Sequence, residues 1–448
     1  MAKVFPFKGI LYNADLLKKE LAKLFTPPYD VISPEDQDNF YASHDFNFIR
    51  LILGKEFPGD GSYNNKYIRA AACLDGWLRH KILVEDSKPT FYVYEQVFCL
   101  ARKKYSRIGF IGLLRLEEIG KGKVFPHEKT YPKAKLDRLE LMLATSANTE
   151  SIFSFVSDEE DKLIKVLKTA TKRKPALEVK KDTDGVAHRL WRLDKKAEVN
   201  KISKLMKDKP VFIADGHHRY ESAIRYRNEL KIKNTKFSEE EAYNHVMMYF
   251  TPLENNGLVV LPIHRVVRHL MFFEPERLLN DLAMFYEVEV TKATKRSAKQ
   301  ARQKLLAQLA KKAAAKQNAF LMYTGNYNYY LLTLKDMRPV EEMIEASKPK
   351  AWKELDTTVL HYTIFDRILG IGHETEDKVK YVKEVDEAID LVDQQGYQVA
   401  FILNPTRLED IVTIASKLEK MPHKSTYFYP KLLSGLVLNK IKYGEKIN

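Results

Sequence analysis

The stretch from Pro210 to Arg227 constrains the fold more than any other part of the chain. Its apolar run, Val211 to Ala214, predicts a short buried strand, and Asp215-Gly216 predicts a tight turn. Apolar side chains then recur at helical spacing, which predicts an amphipathic helix that begins at His217. A strand, a glycine turn and a helix start leave backbone N–H groups unpaired at one point, where the helix dipole adds partial positive charge. The sequence therefore predicts an anion site at this turn.

Three side chains that can carry positive charge crowd the same turn. His217, His218 and Arg219 follow Gly216 directly. Cations beside a buried strand are costly unless a negative group pairs with them, and an arginine can grip a phosphate or a carboxylate with two hydrogen bonds. Adjacent histidines on a helix point about 100° apart, which disfavours a shared transition-metal ion. We therefore expect a phosphate or nucleotide site here.

Composition limits the classes of protein to which the chain can belong. Its 448 residues, 45% hydrophobic and 30% charged, predict a soluble protein of about two or three domains. No apolar run approaches the roughly 20 residues that span a bilayer, and the N-terminus lacks a signal-peptide layout. We therefore expect no membrane partner and a cytoplasmic location. Cys73 and Cys99 lie outside any CxxC motif, so neither zinc nor redox chemistry is predicted.

The net charge of +14 at pH 7 raises the question of a nucleic-acid partner. The basic residues are spread along the chain, and their densest groups lie at 172–181 and 292–316. We therefore expect the charge to serve solubility and attraction for small anionic ligands, with nucleic acid a less favoured partner. The sequence leaves the oligomeric state open.

A loop stiffened by two prolines, Thr26 to Pro34, carries further candidates. The prolines hold Tyr29 and Asp30 in an extended backbone. This rigid presentation serves either a structural purpose or a functional one. Ser33 is the predicted N-cap of the next helix, with Pro34 at its first position.

A second stiffened loop, Val124 to Thr130, contains three charged or titratable residues in a row. His127, Glu128 and Lys129 follow Pro126. They could supply a general base and an electrostatic partner. The alternative is a surface loop with ordinary charges.

Other candidates lie outside these loops. The apolar run Phe48 to Leu53 predicts a strand that contains Arg50, and such an arginine needs a structural carboxylate or a bound anion as its partner. His264 and Arg265 would be further anion contacts. Hydroxyl and lysine side chains between Met421 and Lys431 could pack across the anion site, or the segment could form a structural seal.

Changes in pattern predict a domain boundary near Arg268. We expect residues 1–268 to form an α/β to α+β domain with the anion site, in which Thr90–Val97 and Arg107–Leu116 pair as strands. Residues 269–448 would form a smaller α/β domain that closes the site. The chain lacks a P-loop, a GxGxxG opening a helix, the protein-kinase motifs, HExxH and GxSxG, and these absences exclude the corresponding enzyme classes.

Five motifs resemble those of a widespread bacterial and archaeal family of unknown function: PPYDVISPED, HEKT…DRLELMLATSAN, ADGHHRYESA, PIHRVV and MPHKSTYFYPKLLSGLV. This resemblance covers nearly the whole chain and implies no activity. The stretch from Asp215 to Ala223 is also similar to the G-x-x-R-x-x-A box of the ParB/sulfiredoxin-like superfamily. It is closest to the D-G-H-H-R form of archaeal free-serine kinases, which use ADP. This second resemblance implies a mixed-sheet N-terminal domain whose box binds nucleotide phosphates through Gly216, His217, His218 and Arg219, with Asp215 near a metal or a hydroxyl group.

The anion site and this resemblance together favour a nucleotide-dependent kinase of a small hydroxyl compound, such as free serine. Phosphoryl transfer needs charge neutralisation and positioning more than covalent chemistry, and ATP or ADP with Mg²⁺ would be the cofactors. Asp30 or Glu128 would accept the hydroxyl proton, and Asp215 would help to place the metal. Additional phosphate contacts would come from Arg50, His127, Lys129 and His264.

The alternative is a regulatory protein that binds a nucleotide without transferring phosphate, or a DNA-associated switch. Such a protein would show nucleotide binding without turnover, or DNA binding that weakens with salt. The sequence contains no convincing helix-turn-helix, which disfavours the DNA-associated form.

Overall fold

The computed structural model describes residues 2–17, 20–234, 237–372 and 377–447. They form two compact units. The first unit contains the described residues of Met1–Pro126, Thr130–Val259 and Pro430–Asn448, and the second those of His127–Lys129 and Val260–Tyr429.

This division differs from the expected domains at the C-terminus. The expected second domain ran from 269 to 448, but the last segment belongs to the first unit. Backbone hydrogen bonds explain the difference, because Leu438 and Ile10 exchange two of them at 2.9 Å, and Ser434 N donates to Thr26 O at 2.8 Å. A strand pairing made by residues far apart in the chain has no local sequence signal.

The secondary-structure elements are numbered in chain order. The strands are β1 (Val4–Phe5), β2 (Ile10–Tyr12), β3 (Leu83–Glu85), β4 (Phe91–Leu100), β5 (Lys103–Arg115), β6 (Val124–Phe125), β7 (Ala147–Asn148), β8 (Ile152–Val156), β9 (Leu177–Val179), β10 (Ala187–Leu193), β11 (Val211–Asp215), β12 (His245–Pro252), β13 (Val259–Leu261), β14 (His264–Val267), β15 (Tyr286–Lys292), β16 (Ala319–Tyr323), β17 (Asn328–Leu334), β18 (Val379–Val382), β19 (Val399–Ile402), β20 (Tyr427–Tyr429) and β21 (Asn439–Lys440). The α-helices are α1 (Ala14–Leu17), α2 (Pro34–Ser43), α3 (Ile49–Ile52), α4 (Lys66–Arg79), α5 (Pro132–Thr145), α6 (Lys162–Ala170), α7 (Lys196–Met206), α8 (His217–Lys233), α9 (Pro275–Leu282), α10 (Ala298–Ala314), α11 (Arg338–Met343), α12 (Lys350–Lys353), α13 (Asp356–Val359), α14 (Val385–Gln394) and α15 (Leu408–Ser416). Short 3₁₀ turns cover Leu21–Lys23, Tyr29–Val31 and Ala242–Asn244, and a π-helix covers Leu360–Ile368. The extended backbone predicted for Tyr29 and Asp30 is therefore wrong, because the extended conformation ends at Pro28.

The first unit is built on a large mixed sheet. Its strands follow the order β6-β11-β8-β12-β5-β4-β10-β9, with β1 beside β5. The β4–β5 pair is antiparallel, which confirms the strand pairing predicted for this region. The β6–β11 and β8–β12 pairs are parallel. Helices α5 and α8 bury their apolar residues in the core of this unit together with the sheet, so the mixed α/β architecture expected of the N-terminal part is present.

The central stretch folds as its pattern predicts. Val211 to Ala214 are buried in β11, which lies inside the sheet between β6 and β8. Helix α8 begins at His217, and its buried residues include Tyr220, Ala223 and Ile224. The end of β11 and the start of α8 are therefore held at a defined place in the core.

The predicted helix start at Ser33 is also confirmed. The Ser33 hydroxyl accepts the backbone N–H of Asp36 at 3.1 Å, and the Asp36 carboxylate accepts the backbone N–H of Ser33 at 3.2 Å. Pro34 occupies the first helical position. This reciprocal capping box fixes where the proline-stiffened loop ends.

The predicted strand at Phe48–Leu53 is wrong, because Ile49–Ile52 form helix α3. The side chain of Asn47 accepts the backbone N–H of Ile49 at 2.9 Å and starts the turn. A short apolar run does not distinguish a buried strand from a buried helical turn, and here the packing of α3 against α4 determines the outcome.

The second unit contains a six-stranded sheet with the order β15-β17-β16-β19-β14-β18. Each of its five strand pairs is antiparallel. An α/β domain made of crossover units would have parallel pairs, so this smaller unit is of the α+β kind. Within the described residues, no helix has the length and apolar character needed to cross a bilayer.

Two glycines offer a matched test of the packing in the first unit. A Cβ at Gly109 in β5 would overlap the carbonyl oxygen of Phe250 and the ring of Tyr249 in β12, whereas a Cβ at Gly76 in α4 meets no described atom within 4 Å. We expect Gly109→Ala to lower the free energy of unfolding by about 1–3 kcal/mol. Gly76→Ala should raise it by about 0.5–1 kcal/mol. Urea unfolding measures both, and a Gly109→Ala protein as stable as the wild type would contradict the close packing of β5 on β12.

Candidate functional site

Asp215, at the end of β11, forms ion pairs with two positively charged side chains. Its Oδ2 accepts a hydrogen bond from Nη2 of Arg219 at 2.8 Å, and its Oδ1 pairs with Nζ of Lys431. All three side chains are only 10–12% exposed. The turn after β11 brings Arg219 back over Asp215, while Lys431 comes from the C-terminal segment of the same unit.

Gly216 makes this turn possible. Its φ of +91° lies in the left-handed region, which favours glycine. A Cβ at this position would also lie 2.9 Å from the guanidinium atoms of Arg219. Both the backbone angle and the close approach of Arg219 therefore require a residue without a side chain.

Arg219 is held inside the protein. Its Nη1 donates to the carbonyl oxygen of Ser151 at 2.6 Å, and its Nη2 is bound to Asp215. Both terminal nitrogens of Arg219 thus bind groups of the protein itself. The sequence had left a phosphate or a carboxylate open as the partner of this arginine, and the structure shows the Asp215 carboxylate. Arg219 acts as a fixed positive charge at the start of α8.

The two histidines of the turn face different surroundings. His217 is buried. The ring of His218 stacks on Tyr131, with centroids 6.1 Å apart, and its Nε2 accepts the backbone N–H of Tyr131 at 3.0 Å. Among the described residues there is no group of three or more His, Cys, Asp or Glu side chains that could hold a metal ion.

The segment that carries Lys431 is tied to the large sheet. The Gln96 side chain in β4 donates to the carbonyl oxygen of Lys431 at 2.8 Å, and Arg107 in β5 donates to that of Pro430. Arg107 is fully buried and lies over the ring of Phe153 at 4.4 Å. Lys431 of the C-terminal run therefore lies beside Asp215 at the central turn, an arrangement that fits both a contact to the expected anion site and a structural seal.

A second buried ion pair anchors the proline-stiffened loop. Glu150, which is 6% exposed, accepts the backbone N–H of Tyr29 at 3.3 Å and the hydroxyl of Ser434 at 3.0 Å. Its other oxygen lies 3.5 Å from Nη1 of Arg138. The Arg138 guanidinium in turn covers the Tyr29 ring at 3.8 Å. Sequence reasoning missed Glu150, which lies between β7 and β8, and Arg138, which is one of several charged residues in α5.

Asp30 follows Tyr29 in the chain, and its surroundings differ from those of Asp215 and Glu150. Asp30 is an exposed residue as a whole, and its side chain makes no hydrogen bond or ion pair with any described residue. It interacts electrostatically with Asp215 and Glu150, which have the same sign, and with Lys431 and Arg219. Desolvation of the carboxyl by the protein that surrounds it, followed by repulsion from Asp215, raises the pKa of Asp30 to about 6. The result is a carboxyl without a direct partner among the described residues, whose pKa lies close to neutral pH.

The second loop of candidates belongs to the second unit. His127, Glu128 and Lys129 are grouped there. The Nε2 of His127 lies 3.0 Å from the hydroxyl of Thr426, and its carbonyl oxygen accepts the backbone N–H of Met421 at 2.8 Å. These contacts fix the position of His127 within the second unit.

Arg50 and His264 have structural surroundings. Arg50 donates to the carbonyl oxygen of Asp45 at 2.8 Å and lies 4.5 Å from the centroid of the Tyr41 ring. His264 lies in β14 and accepts the backbone N–H of Leu403 at 3.2 Å. Burial lowers the pKa of His264 to about 4, so this ring is neutral at pH 7 and offers no charge to a phosphate.

Comparison with known proteins confirms a family of unknown function, and the matched residues contain four of the five motifs. The family described as "Protein of unknown function (DUF1015)" matches residues 4–358. No curated protein matches the chain.

Among solved structures, a free serine kinase in complex with AMP aligns with a TM-score of 0.32 and 12% identity, over 68% of this chain and 83% of that chain. A conserved hypothetical protein from Pyrococcus furiosus aligns with a TM-score of 0.30 and 12% identity, over 69% and 89% of the two chains. SbnI from Staphylococcus aureus, with its C-terminus truncated, aligns with a TM-score of 0.31 and 11% identity, over 70% and 82%. TM-scores this low do not transfer a function.

The charge crowding around Asp30 predicts a pH-dependent effect on stability. Because folding raises the pKa of Asp30 from 3.8 to about 6, the folded state binds this proton more tightly than the unfolded state. The resulting stabilisation is full below pH 3.8 and is lost as the pH rises through 6. We expect Asp30→Asn to melt at a higher temperature than the wild type at pH 7.5, with the difference shrinking towards pH 4.

A matched control is Asp75→Asn, which removes a carboxylate that is 61% exposed on helix α4. Thermal unfolding of the three proteins between pH 4 and 8 measures the effect. If Asp30→Asn is no more stable than the wild type at pH 7.5, or if Asp75→Asn gains as much, the crowding does not destabilise the Asp30 carboxylate.

Proposed function

Since the chain belongs to the DUF1015 family, whose function is unknown, we propose from the site itself that the protein is a nucleotide-dependent phosphotransferase acting on a small hydroxyl compound. The observation that carries this proposal is the Asp30 carboxyl, which has no hydrogen-bonding partner among the described residues, has a raised pKa and interacts with the positive charges of Lys431 and Arg219. Free serine is one acceptor of the proposed class, and ATP or ADP the proposed donor.

Asp30 is the general base of the proposal. With a pKa of about 6 it is mainly ionised at pH 7.5, yet it binds a proton more readily than an ordinary aspartate. Its side chain has no competing hydrogen bond to another described residue. A substrate hydroxyl can therefore approach the carboxylate without displacing a protein partner.

The start of α8 is the proposed phosphate site. Backbone N–H groups and the helix dipole favour an anion there, and Arg219 and Lys431 add two positive charges held in place by Asp215. Preorganised charges stabilise a transferring phosphoryl group without rearranging during the reaction. We also propose that β11, Gly216 and α8 form the phosphate-binding part of a ParB/sulfiredoxin-like core.

In the proposed step, the acceptor oxygen attacks the terminal phosphorus of the nucleotide, and the bond from that phosphorus to the bridging oxygen breaks. The hydroxyl proton passes to Asp30, and the leaving nucleotide keeps the bonding electrons as negative charge near Lys431 and Arg219. Both oxygens of Asp215 already pair with cations, so the donor set does not fit the expected metal-ligand role of this residue. Asp215 is therefore proposed as a positioning residue, and no step is assigned to Mg²⁺.

Phosphorus NMR of the full-length protein with ATP or ADP and a panel of hydroxy amino acids tests the activity. We expect transfer to at least one acceptor. Asp30→Asn should retain nucleotide binding and lower turnover by about 10²–10⁴-fold, the usual contribution of a general base, while Asp75→Asn should leave turnover unchanged. Nucleotide binding by the wild type without transfer to any acceptor would instead favour the regulatory alternative.

Lys431 offers a second test through the pH profile. Its charge lowers the pKa of Asp30, so Lys431→Met should move the acid limb of kcat/KM from about pH 6 to a higher pH. Lys431→Arg keeps the charge and should move the limb much less. An acid limb that stays in place in Lys431→Met would argue against Asp30 as the titrating group, because kcat/KM reports ionisations of the free enzyme.

A further inference from the structure

The second unit contains a cavity of about 470 Å³ that takes no part in the proposed phosphotransfer. It lies where β19 leads through Asn404–Arg407 into α15, and it is also lined by the end of α10 and by α12 and α13. Small-molecule sites in proteins occupy roughly 300–1,000 Å³. The cavity is therefore large enough for a ligand of its own.

Two side chains of opposite charge, Asp356 and Arg407, line this cavity. Each has a hydrogen-bonding atom without a partner among the described residues. Asp356 accepts a hydrogen bond from the Asn318 side chain on Oδ1 at 2.7 Å, and its Oδ2 has no hydrogen-bonding partner in the described part of the chain. Arg407 donates through Nε and Nη2 to Asp410 at 2.8 Å each. The Nη1 group of Arg407 has no protein acceptor within the described ranges.

Asp356 and Arg407 interact electrostatically but form no ion pair within 4 Å, as far as the described residues show. Asn318 and Asp410 hold them separately, although direct contact would neutralise both charges. The lining as a whole is balanced, since three basic side chains (Lys316, Lys350, Arg407) face three acidic ones (Glu354, Asp356, Asp410). Such a lining favours a ligand that carries both signs of charge over a polyanion such as a nucleotide.

We propose that this cavity binds a small zwitterion of the α-amino-acid class, with its ammonium group on Asp356 and its carboxylate on Arg407. The ammonium group donates to the unused Oδ2, and the carboxylate accepts from Nη1 in a charge-assisted hydrogen bond. Met337 and Leu355 provide apolar surface for the ligand's side chain. The site is independent of the phosphotransfer assigned to the first unit.

Proton release should accompany binding. Burial raises the pKa of Asp356 to about 7, against the opposing effects of Asn318, Arg407 and Arg265, and with a smaller contribution from Asp410. Lys350 and Glu354 line the same cavity. An ammonium ion favours the ionised carboxylate and lowers its pKa, so part of the protein population loses a proton on binding at pH 7.

Isothermal titration calorimetry of the full-length protein with the proteinogenic α-amino acids tests the proposal. At least one should bind, with an enthalpy at pH 7 that depends on the buffer's ionisation enthalpy. The corresponding decarboxylated amine and N-acetyl derivative should each bind about tenfold more weakly or worse, as expected for loss of a charged hydrogen bond. Inorganic phosphate serves as the purely anionic probe.

Two variants locate the site. Asp356→Asn keeps the acceptor for Asn318 but removes the charge, and Arg407→Gln removes the cation; each should weaken zwitterion binding about tenfold or more. Asp390→Asn, at an exposed position of α14 outside the cavity, is the control and should bind as the wild type does. Should Asp356→Asn fail to fold, Arg407→Gln still decides, because its side chain is 42% exposed. The proposal is overturned if no amino acid binds, if phosphate binds more tightly than every amino acid, or if a folded variant retains wild-type affinity.

Discussion

The carboxylate of Asp215 is the interaction on which the first unit's site depends. It is supplied by the end of β11, and it holds one cation from the first turn of α8 and another from the C-terminal segment. Loss of one partner from a buried ion pair leaves an uncompensated charge and typically costs about 3–5 kcal/mol. The site therefore forms only when the central turn and the C-terminal segment are both folded onto the large sheet.

The second ion pair of that unit, between Glu150 and Arg138, explains why Asp30 remains available. Arg138 pairs with both Asp137 and Glu150, and Glu150 and Arg138 hold Tyr29 from two sides. The neighbouring cations Arg219 and Lys431 are occupied by Asp215. The pKa of Asp30 is thus influenced by the surrounding charges, although its carboxyl contacts none of them directly among the described residues. This arrangement lowers the stability of the folded protein but keeps the carboxyl available for reaction. Perturbed carboxyls of this kind concentrate at functional sites.

The sites of the two units arrange their charges differently. In the first unit, Asp215 and Glu150 contact cationic side chains, whereas Asp30 has no direct partner among the described residues. In the second, Asp356 and Arg407 are kept apart by partners of their own at the walls of a cavity. Both arrangements preorganise a site, because side chains held by neighbours need little rearrangement when a ligand arrives. The difference lies in the ligand each would favour, an anion in the first unit and a zwitterion in the second.

Local pattern was enough to predict β11, the turn at Gly216, helix α8 and the cap at Ser33, because each depends on residues within a few positions of one another. It was insufficient at Ile49–Ile52, where a short apolar run fits a strand or a helix equally well. Asp30 was identified from the stiffness of its loop, but its raised pKa depends on residues far away in the sequence.

The sequence by itself determined that a strand, a glycine and a helix start would gather charge near the middle of the chain. Only the tertiary structure decided what those charges meet: Lys431 reaches Asp215 across 216 positions, and Glu150 reaches the loop of Tyr29 across 121. The physical reason is that backbone conformation follows from neighbouring residues, whereas the partner of a buried charge is selected by packing among distant segments.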